Sequence, residues 1–468
     1  MSEEADLLIT GGIVITIDGT RRVLADGAVA VVGQSIAAVG PSAEVQQRFP
    51  QAKRHIDARG MAVLPGFVDT HAHAGHALVK SLGASGDDWM SITGRIYARA
   101  ADADFWRAEA LLSGIERIKC GTTTTCLLLG GGPDVMRSDD TSAADAHCAA
   151  IATLGLREVL AVGVSRPPYP NIYLDWDAPG APRERTISAE HELEVTEAVI
   201  RRWHGKADGR IRIAVEFPVL AAAAWAPGLA RIAEAARALS RTNRTLFVQD
   251  GHRQGTIAAQ ERFAGIAGPD ALYGHAIDLT EDDIAVLVRT GAKIAHNPSA
   301  LMSVRGRCPA PELMARGVVV GIGSDAPAPD RPFDMFRHMF QAMRYHARHF
   351  RSETALPATR VLEMATIEGA RALGLEAEIG SLEPGKKADI ILVDLMKPHL
   401  APIGSPVRRL ATFANGADVD TVIVDGRVLM AGRTVAGVDE RAIIAEAGIA
   451  AARAAGRIGL GEPGATWA

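Results

Sequence analysis

The sequence predicts an α/β chain, a (β/α)8 TIM-like barrel with a small β-sandwich module formed by its N- and C-terminal segments. Three observations predict it. Eight short apolar, β-branched runs alternate with helical periodicity through the middle of the chain. Short β runs punctuated by Gly and Asp fill the first 60 residues. The same texture returns after residue 376.

Residues 1–62 form the N-terminal half of the sandwich, with Asp6-Leu-Leu-Ile-Thr, Ile13-Val-Ile-Thr-Ile, Gly27-Ala-Val-Ala-Val-Val and Ser35-Ile-Ala-Ala-Val as strands. Residues 63–375 form the barrel. Its strands are expected from Val63 to Asp69, Thr122 to Leu129, Val159 to Val164, Ile211 to Val219, Thr245 to Gln249, Ala271 to Ile277, Lys293 to His296 and Val318 to Ser324. Helical patterns between them include Asp104 to Lys119, Ala226 to Leu239 and Thr280 to Arg289, with Pro332 to His349 and Pro357 to Leu373 after the last strand. Arg166 to Arg185 holds five of the 24 prolines and little periodicity, and reads as a long loop at the barrel mouth. Residues 376–468 complete the sandwich with Asp389-Ile-Ile-Leu-Val-Asp, Thr421-Val-Ile-Val-Asp-Gly and Arg427-Val-Leu-Met, then end in an Ala-rich helix from Glu440 to Gly456.

Composition narrows the function classes. The chain has 468 residues, 48% hydrophobic and 22% charged, which excludes disordered and low-complexity classes. A net charge of −5 and only 5% aromatics argue against nucleic acid as a partner. The acidic N-terminus lacks a basic segment followed by an apolar one, and no run is apolar enough to span a membrane. Cys120, Cys126, Cys148 and Cys308 read as free thiols in a reducing cytoplasm. No GxGxxG follows a strand, so a dinucleotide fold is disfavoured.

Barrel enzymes draw their chemistry from the C-terminal ends of the strands. Strand one ends in Asp69-Thr-His71-Ala-His73, and residues two apart on a strand share a face. Strand six carries His275, strand seven ends in His296-Asn297-Pro298, and strand eight ends in Gly321-Ile-Gly-Ser-Asp325. Taken singly, His275 reads as a core histidine, His296 as a turn residue and Asp325 as a helix cap. Imidazoles and a carboxylate gathered at one end of one barrel, with no thiolate, read instead as a site for a divalent cation.

These motifs resemble the amidohydrolase superfamily. Leu64-Pro-Gly-Phe-Val-Asp-Thr-His-Ala-His is similar to its strand-one signature, and Ala295-His-Asn-Pro-Ser, Gly323-Ser-Asp-Ala and Phe333-Asp-Met-Phe to its later segments. Gly380-Ser-Leu-Glu-Pro-Gly-Lys-Lys-Ala-Asp resembles the return to its sandwich. The branch most resembled contains adenosylhomocysteine, guanine and cytosine deaminases and triazine hydrolases, with carbamate and phenylurea hydrolases as further relatives. The resemblance implies a mononuclear hydrolase with one divalent ion, zinc first and cobalt, iron or manganese as alternatives. Strand four offers no lysine to bridge two metals. It also implies a homo-oligomer.

One departure bears on mechanism. The branch ends strand five in H-x-x-E, a metal-binding His and a proton-shuttling Glu. This chain has Gln249-Asp250-Gly251-His252-Arg253, so the expected alignment puts Gln249 at the ligand position and His252 at that of the Glu. His252 is then expected as a ligand or proton carrier beside His71, His73 and Asp325, with Asp325 and His275 also catalytic. Without the Glu, hydrolysis of a C–N or C–S bond in a small amide-, urea- or carbamate-like compound is favoured over deamination or dechlorination of an N-heterocycle. A non-catalytic scaffold is the remote alternative. Trp89, Gln249, His296 and Met302 are expected at the substrate, with the loop from Tyr169 to Trp176 nearby. The apolar Trp89-Met90 pair suggests a weakly polar ligand.

Overall fold

Apolar runs broken by Asp-Gly and Gly-Gln turns give the N-terminal segment β1 (Glu4–Ile15), β2 (Val23–Val32), β3 (Ser35–Pro41), β4 (Gln51–Asp57) and β5 (Met61–Pro65); the two strands expected on either side of Gly11-Gly12 are one, with an irregular register there against β2. The computed structural model describes residues 4–80, 82, 89–130, 136–402 and 404–460. After β5 the chain enters the barrel through β6 (Phe67–His73), β7 (Thr122–Leu128) and β8 (Arg157–Gly163). A hairpin, β9 (Asn171–Asp175) and β10 (Arg183–Ile187), interrupts the series before β11 (Ile211–Glu216), β12 (Phe247–Gln249), β13 (Ala271–Gly274), β14 (Lys293–His296) and β15 (Val320–Ile322). The chain then returns to the first sheet with β16 (Ile390–Asp394), β17 (Val419–Val424), β18 (Arg427–Ala431) and β19 (Thr434–Val435).

The eight barrel strands are parallel and follow one another around the ring in chain order. A bridge between Ala72 and Asp325 draws the last strand to the first, with the Asp325 N–H donating to the His71 carbonyl at 2.8 Å. That bridge lies at the C-terminal end, where the histidines are.

The second sheet runs β19-β18-β17-β16-β5-β1-β2-β3, with β4 also on β1. Its central joint is the antiparallel pair β5–β16, Met61 to Pro65 against Asp394 to Ile390. The sheet thus keeps residues as far as Pro65, beyond the expected limit of 62. At the other end of the barrel from the histidines, Arg157 on β8 donates to Asp389 at 3.1 Å and Asp425 at 2.6 Å, and Arg210 reaches Asp425 at 3.1 Å. All four are buried, so charge is matched where sheet meets barrel. The C-terminal helix Glu440–Arg457 lies along the helix Ala103–Lys119, joined by Lys119 to Glu440 and Arg457 to Asp102, each at 2.8 Å.

The Pro-rich mouth segment differs from the expected loop. Pro167, Pro168 and Pro170 precede the hairpin, and Pro179 and Pro182 sit in its connection, leaving two strands of five residues each. Such short strands carry too little alternation to stand out. Tyr173 anchors the hairpin, its hydroxyl bonded to Ser165, Glu192 and the Met136 carbonyl.

Candidate active site

Strand alternation decides which side chains meet inside the barrel. On β6, His71 and His73 share the inward face; His275 directly follows β13, and Asp325 stands three residues past the end of β15. Both of these non-glycine residues have left-handed backbones, φ +69° and +64°. Such strain of about 1–3 kcal/mol each persists where the surroundings over-determine the position. Two glycines make room for His71. A Cβ on Gly274 would lie 2.9 Å from its Cε1, and one on Gly323 would lie 2.8 Å from its Cβ.

Strand five contributes differently from expectation. Phe247 and Gln249 point outward to the helices: Arg237 lies over the Phe247 ring, and Gln249 Oε1 meets His252 Nε2 at 3.4 Å. His252 is itself held outside by Thr256 Oγ1 at 3.0 Å and by the Tyr273 ring, 4.4 Å between centroids. Burial drives its pKa down to about 3. Asp250, one position past Gln249, turns inward. Its Oδ1 lies 3.2 Å from His71 Nε2 and 3.0 Å from His275 Nε2, and its Oδ2 lies 3.5 Å from His73 Nε2. Asp325 Oδ1 lies 3.2 Å from His73 Nε2 and 3.8 Å from His71 Nε2.

Among the described residues, two groups bring ligand atoms within 4.8 Å of one another: His71, His73 and Asp325, and His71, Asp250 and His275. Gln249 and His252 belong to neither, which corrects their expected placement toward the metal and substrate. Parity on β12 turns Gln249 into the sheet–helix layer, and His252, past the end of the strand, is held there by Thr256 and the Tyr273 ring.

The donor set fits a divalent cation. It combines imidazole nitrogens with carboxylates and no thiolate, all buried. Among the described residues, Nδ1 of His71 and Nδ1 of His275 have no hydrogen-bond partner, a costly state for buried polar atoms. Burial alone would raise the Asp325 carboxyl, but His275, the hydrogen bond from His73 and Arg331 outweigh it and hold it far below the usual range. For Asp250, burial is likewise overcome by His71 and His275. Arg331 Nη1 steadies Asp325 by donating to Oδ2 at 3.2 Å.

Above this cluster opens a cavity of about 480 Å³. Trp89 and Met302 line it, and His296 does not. The His296 ring is buried and meets His346 Nε2 at 3.2 Å. From the mouth loop, Arg166 and Pro167 face the cavity, whereas the Trp176 indole donates to the Arg99 carbonyl. Arg253, Arg305 and Arg331 also line it, so the wall is more polar than Trp89-Met90 suggests. Asp250, Arg253, Arg331 and His76 escaped the sequence reading.

The family description "Amidohydrolase family" matches residues 62–429. The chain belongs to the amidohydrolase family. A second description, "Imidazolonepropionase-like composite domain, bacteria", matches residues 27–52. This amidohydrolase is 33% identical over 462 residues to a 5-methylthioadenosine/S-adenosylhomocysteine deaminase of Pelotomaculum thermopropionicum, covering 95% of this chain and 97% of the relative. It is 32% identical to a 5'-deoxyadenosine deaminase of Methanosarcina mazei, covering 97% and 99%. Among solved structures it resembles an adenosine deaminase from Xanthomonas campestris with bound zinc, with TM-score 0.81, 25% identity and coverage of 97% and 99%. It shares its fold with an atrazine chlorohydrolase of Arthrobacter aurescens complexed with zinc, with TM-score 0.76, 22% identity and coverage of 95% and 100%. The amidohydrolase is thus a hydrolase acting on C–N bonds of small molecules, in a family that binds a divalent metal. Among the described residues, no helix is long and apolar enough to cross a membrane.

Proposed function

We propose that this amidohydrolase holds one divalent cation, zinc first and cobalt, iron or manganese as alternatives, with His71, His73, His275, Asp250 and Asp325 as the residues around it. Its reaction is hydrolysis of a C–N or C–S bond in a small amide-, urea- or carbamate-like compound. A cation bound there supplies Lewis acidity, lowering the pKa of water toward about 7 and polarising a carbonyl oxygen. Asp325 accepts the proton of the attacking water and returns it to the leaving group, help of a kind worth roughly 10²- to 10⁴-fold. Arg331 keeps that carboxylate in place from the Oδ2 side. His275 orients the attacked group from the β13 end.

One observation carries the choice of bond. With Asp250 at the inward position of the strand-five turn, the residue three further on is Arg253, which lines the cavity. A guanidinium keeps its protons at neutral pH and cannot shuttle one to a ring nitrogen as the Glu of the resembled motif does. An acyl carbonyl has less need of that proton. The deaminase names of the relatives favour the second reading, release of ammonia from an aminated heterocycle such as a nucleoside.

We further read the enzyme as a cytoplasmic homo-oligomer, a reading supported by the resemblance and, for the compartment, by four free cysteines. The deciding experiment presents metal-loaded enzyme with 5'-methylthioadenosine, phenylureas and aryl carbamates. Amine or thiol release with no ammonia from the nucleoside is the expected outcome. Ammonia release from the nucleoside alone establishes the deaminase reading instead.

A further inference from the structure

We propose that His76 is a substrate-contacting residue of this active site, its imidazole giving a hydrogen bond to the polar edge of the group being cleaved. The inference rests on the hydrolase reading of the cavity. His76 opens the short turn His76–Val79 that follows β6, three residues past His73. It lines the cavity beside His73, Trp89 and Asp325. The side chain is only 2% exposed, and among the described residues neither ring nitrogen has a hydrogen-bond partner.

Its neighbours explain why. The rings of His73, Tyr97 and Trp89 surround it at 5.2, 5.5 and 5.9 Å between centroids. They fix the plane of the imidazole without satisfying it. An imidazole carries an N–H in either tautomer, so the ring has a donor to give. The Tyr97 hydroxyl belongs to the same wall and is likewise buried without a partner. The chain passes it only because Gly75 is left-handed, φ +88°, where a Cβ would lie 2.8 Å from that hydroxyl. An apolar side chain would fill the space of His76 without leaving polar atoms unmet. A polar group retained at such a cost on a cavity wall marks a contact made by a ligand.

The test compares wild type with His76→Leu and His76→Gln, each analysed for metal by plasma emission and for melting temperature by calorimetry. Turnover is measured on the best of 4-nitroacetanilide, N-phenylurea and 5'-methylthioadenosine. The Leu variant is expected to keep its metal and to melt no lower than wild type, while kcat falls roughly 10²-fold with little change in KM. The Gln variant recovers part of the loss, since its amide can still donate. A fall of several degrees in melting temperature for the Leu variant shows a structural imidazole and overturns the proposal. So does an unchanged kcat/KM. Metal-loaded wild type that turns over none of the probes counts against the hydrolase reading itself; a Leu variant that then melts higher still supports His76 as a group kept for a ligand.

Discussion

Gln249 and Asp250 are adjacent, both buried and both polar, yet they face opposite sides of the barrel wall. Asp250→Asn removes a charge that three imidazoles surround, and tightly bound metal is expected to fall well below one ion per chain. Gln249→Leu disturbs only the bond to His252, and metal content is expected to stay at the wild-type level. Plasma emission on the two purified variants checks both, and equal metal content would remove Asp250 from the site. The remaining members were legible because each follows a recognisable strand run: His71 and His73 in Phe67-Val-Asp-Thr-His-Ala-His, His275 after Ala271-Leu-Tyr-Gly, and Asp325 after Val320-Gly-Ile-Gly-Ser. Asp250 was not legible. A three-residue strand gives too little pattern to fix its parity, and a one-residue slip exchanges the faces of every side chain. His76 lies in a turn, where no period applies.

The mouth hairpin hangs on one buried acid. Glu192, on the helix Ala189–Trp203, accepts hydrogen bonds from the Ser165 backbone at 3.0 Å, the Ser165 hydroxyl at 2.9 Å and the Tyr173 hydroxyl at 3.0 Å. Burial nevertheless pushes its carboxyl up to about 7, above its ordinary value of 4.5. The folded state therefore keeps a proton that the unfolded chain has lost, and stability falls as pH rises from about 4.5 to about 7. Glu192→Gln imitates the protonated form. Its melting temperature is expected to exceed that of wild type most at pH 8, with the gap narrowing toward pH 5; a gap that does not change with pH would contradict the shift. The hairpin itself was hidden in the sequence by its prolines, whereas the long amphipathic helices and the apolar strands around it were plain. Length makes the difference, since a period must repeat before it can be read.

Across the whole molecule, chemistry and cohesion occupy opposite ends of the barrel. The histidine end meets solvent through the cavity, while the other end is tied to the sheet by Arg157, Arg210, Asp389 and Asp425. Asp389→Ala leaves the buried Arg157 with Asp425 alone, a carboxylate it shares with Arg210, and a loss of about 3–5 kcal/mol is expected. Denaturant unfolding measures that loss. Metal content and kcat at low temperature are expected to hold, because the substitution is remote from the cavity. A stability change below about 1 kcal/mol would show that the network contributes little.

The pairing of β5 with β16 has a consequence for biosynthesis. Some 325 residues separate Pro65 from Ile390, and at roughly 5–20 residues per second a ribosome needs about 16–65 s to cross that gap. For that interval the nascent chain presents a bare β5 edge, with Val63 and Leu64 lacking the neighbour that later covers them. Maturation of the first-made strands therefore waits on the last-made ones, and a translation product arrested before residue 390 carries an adhesive strand it has no means of shielding.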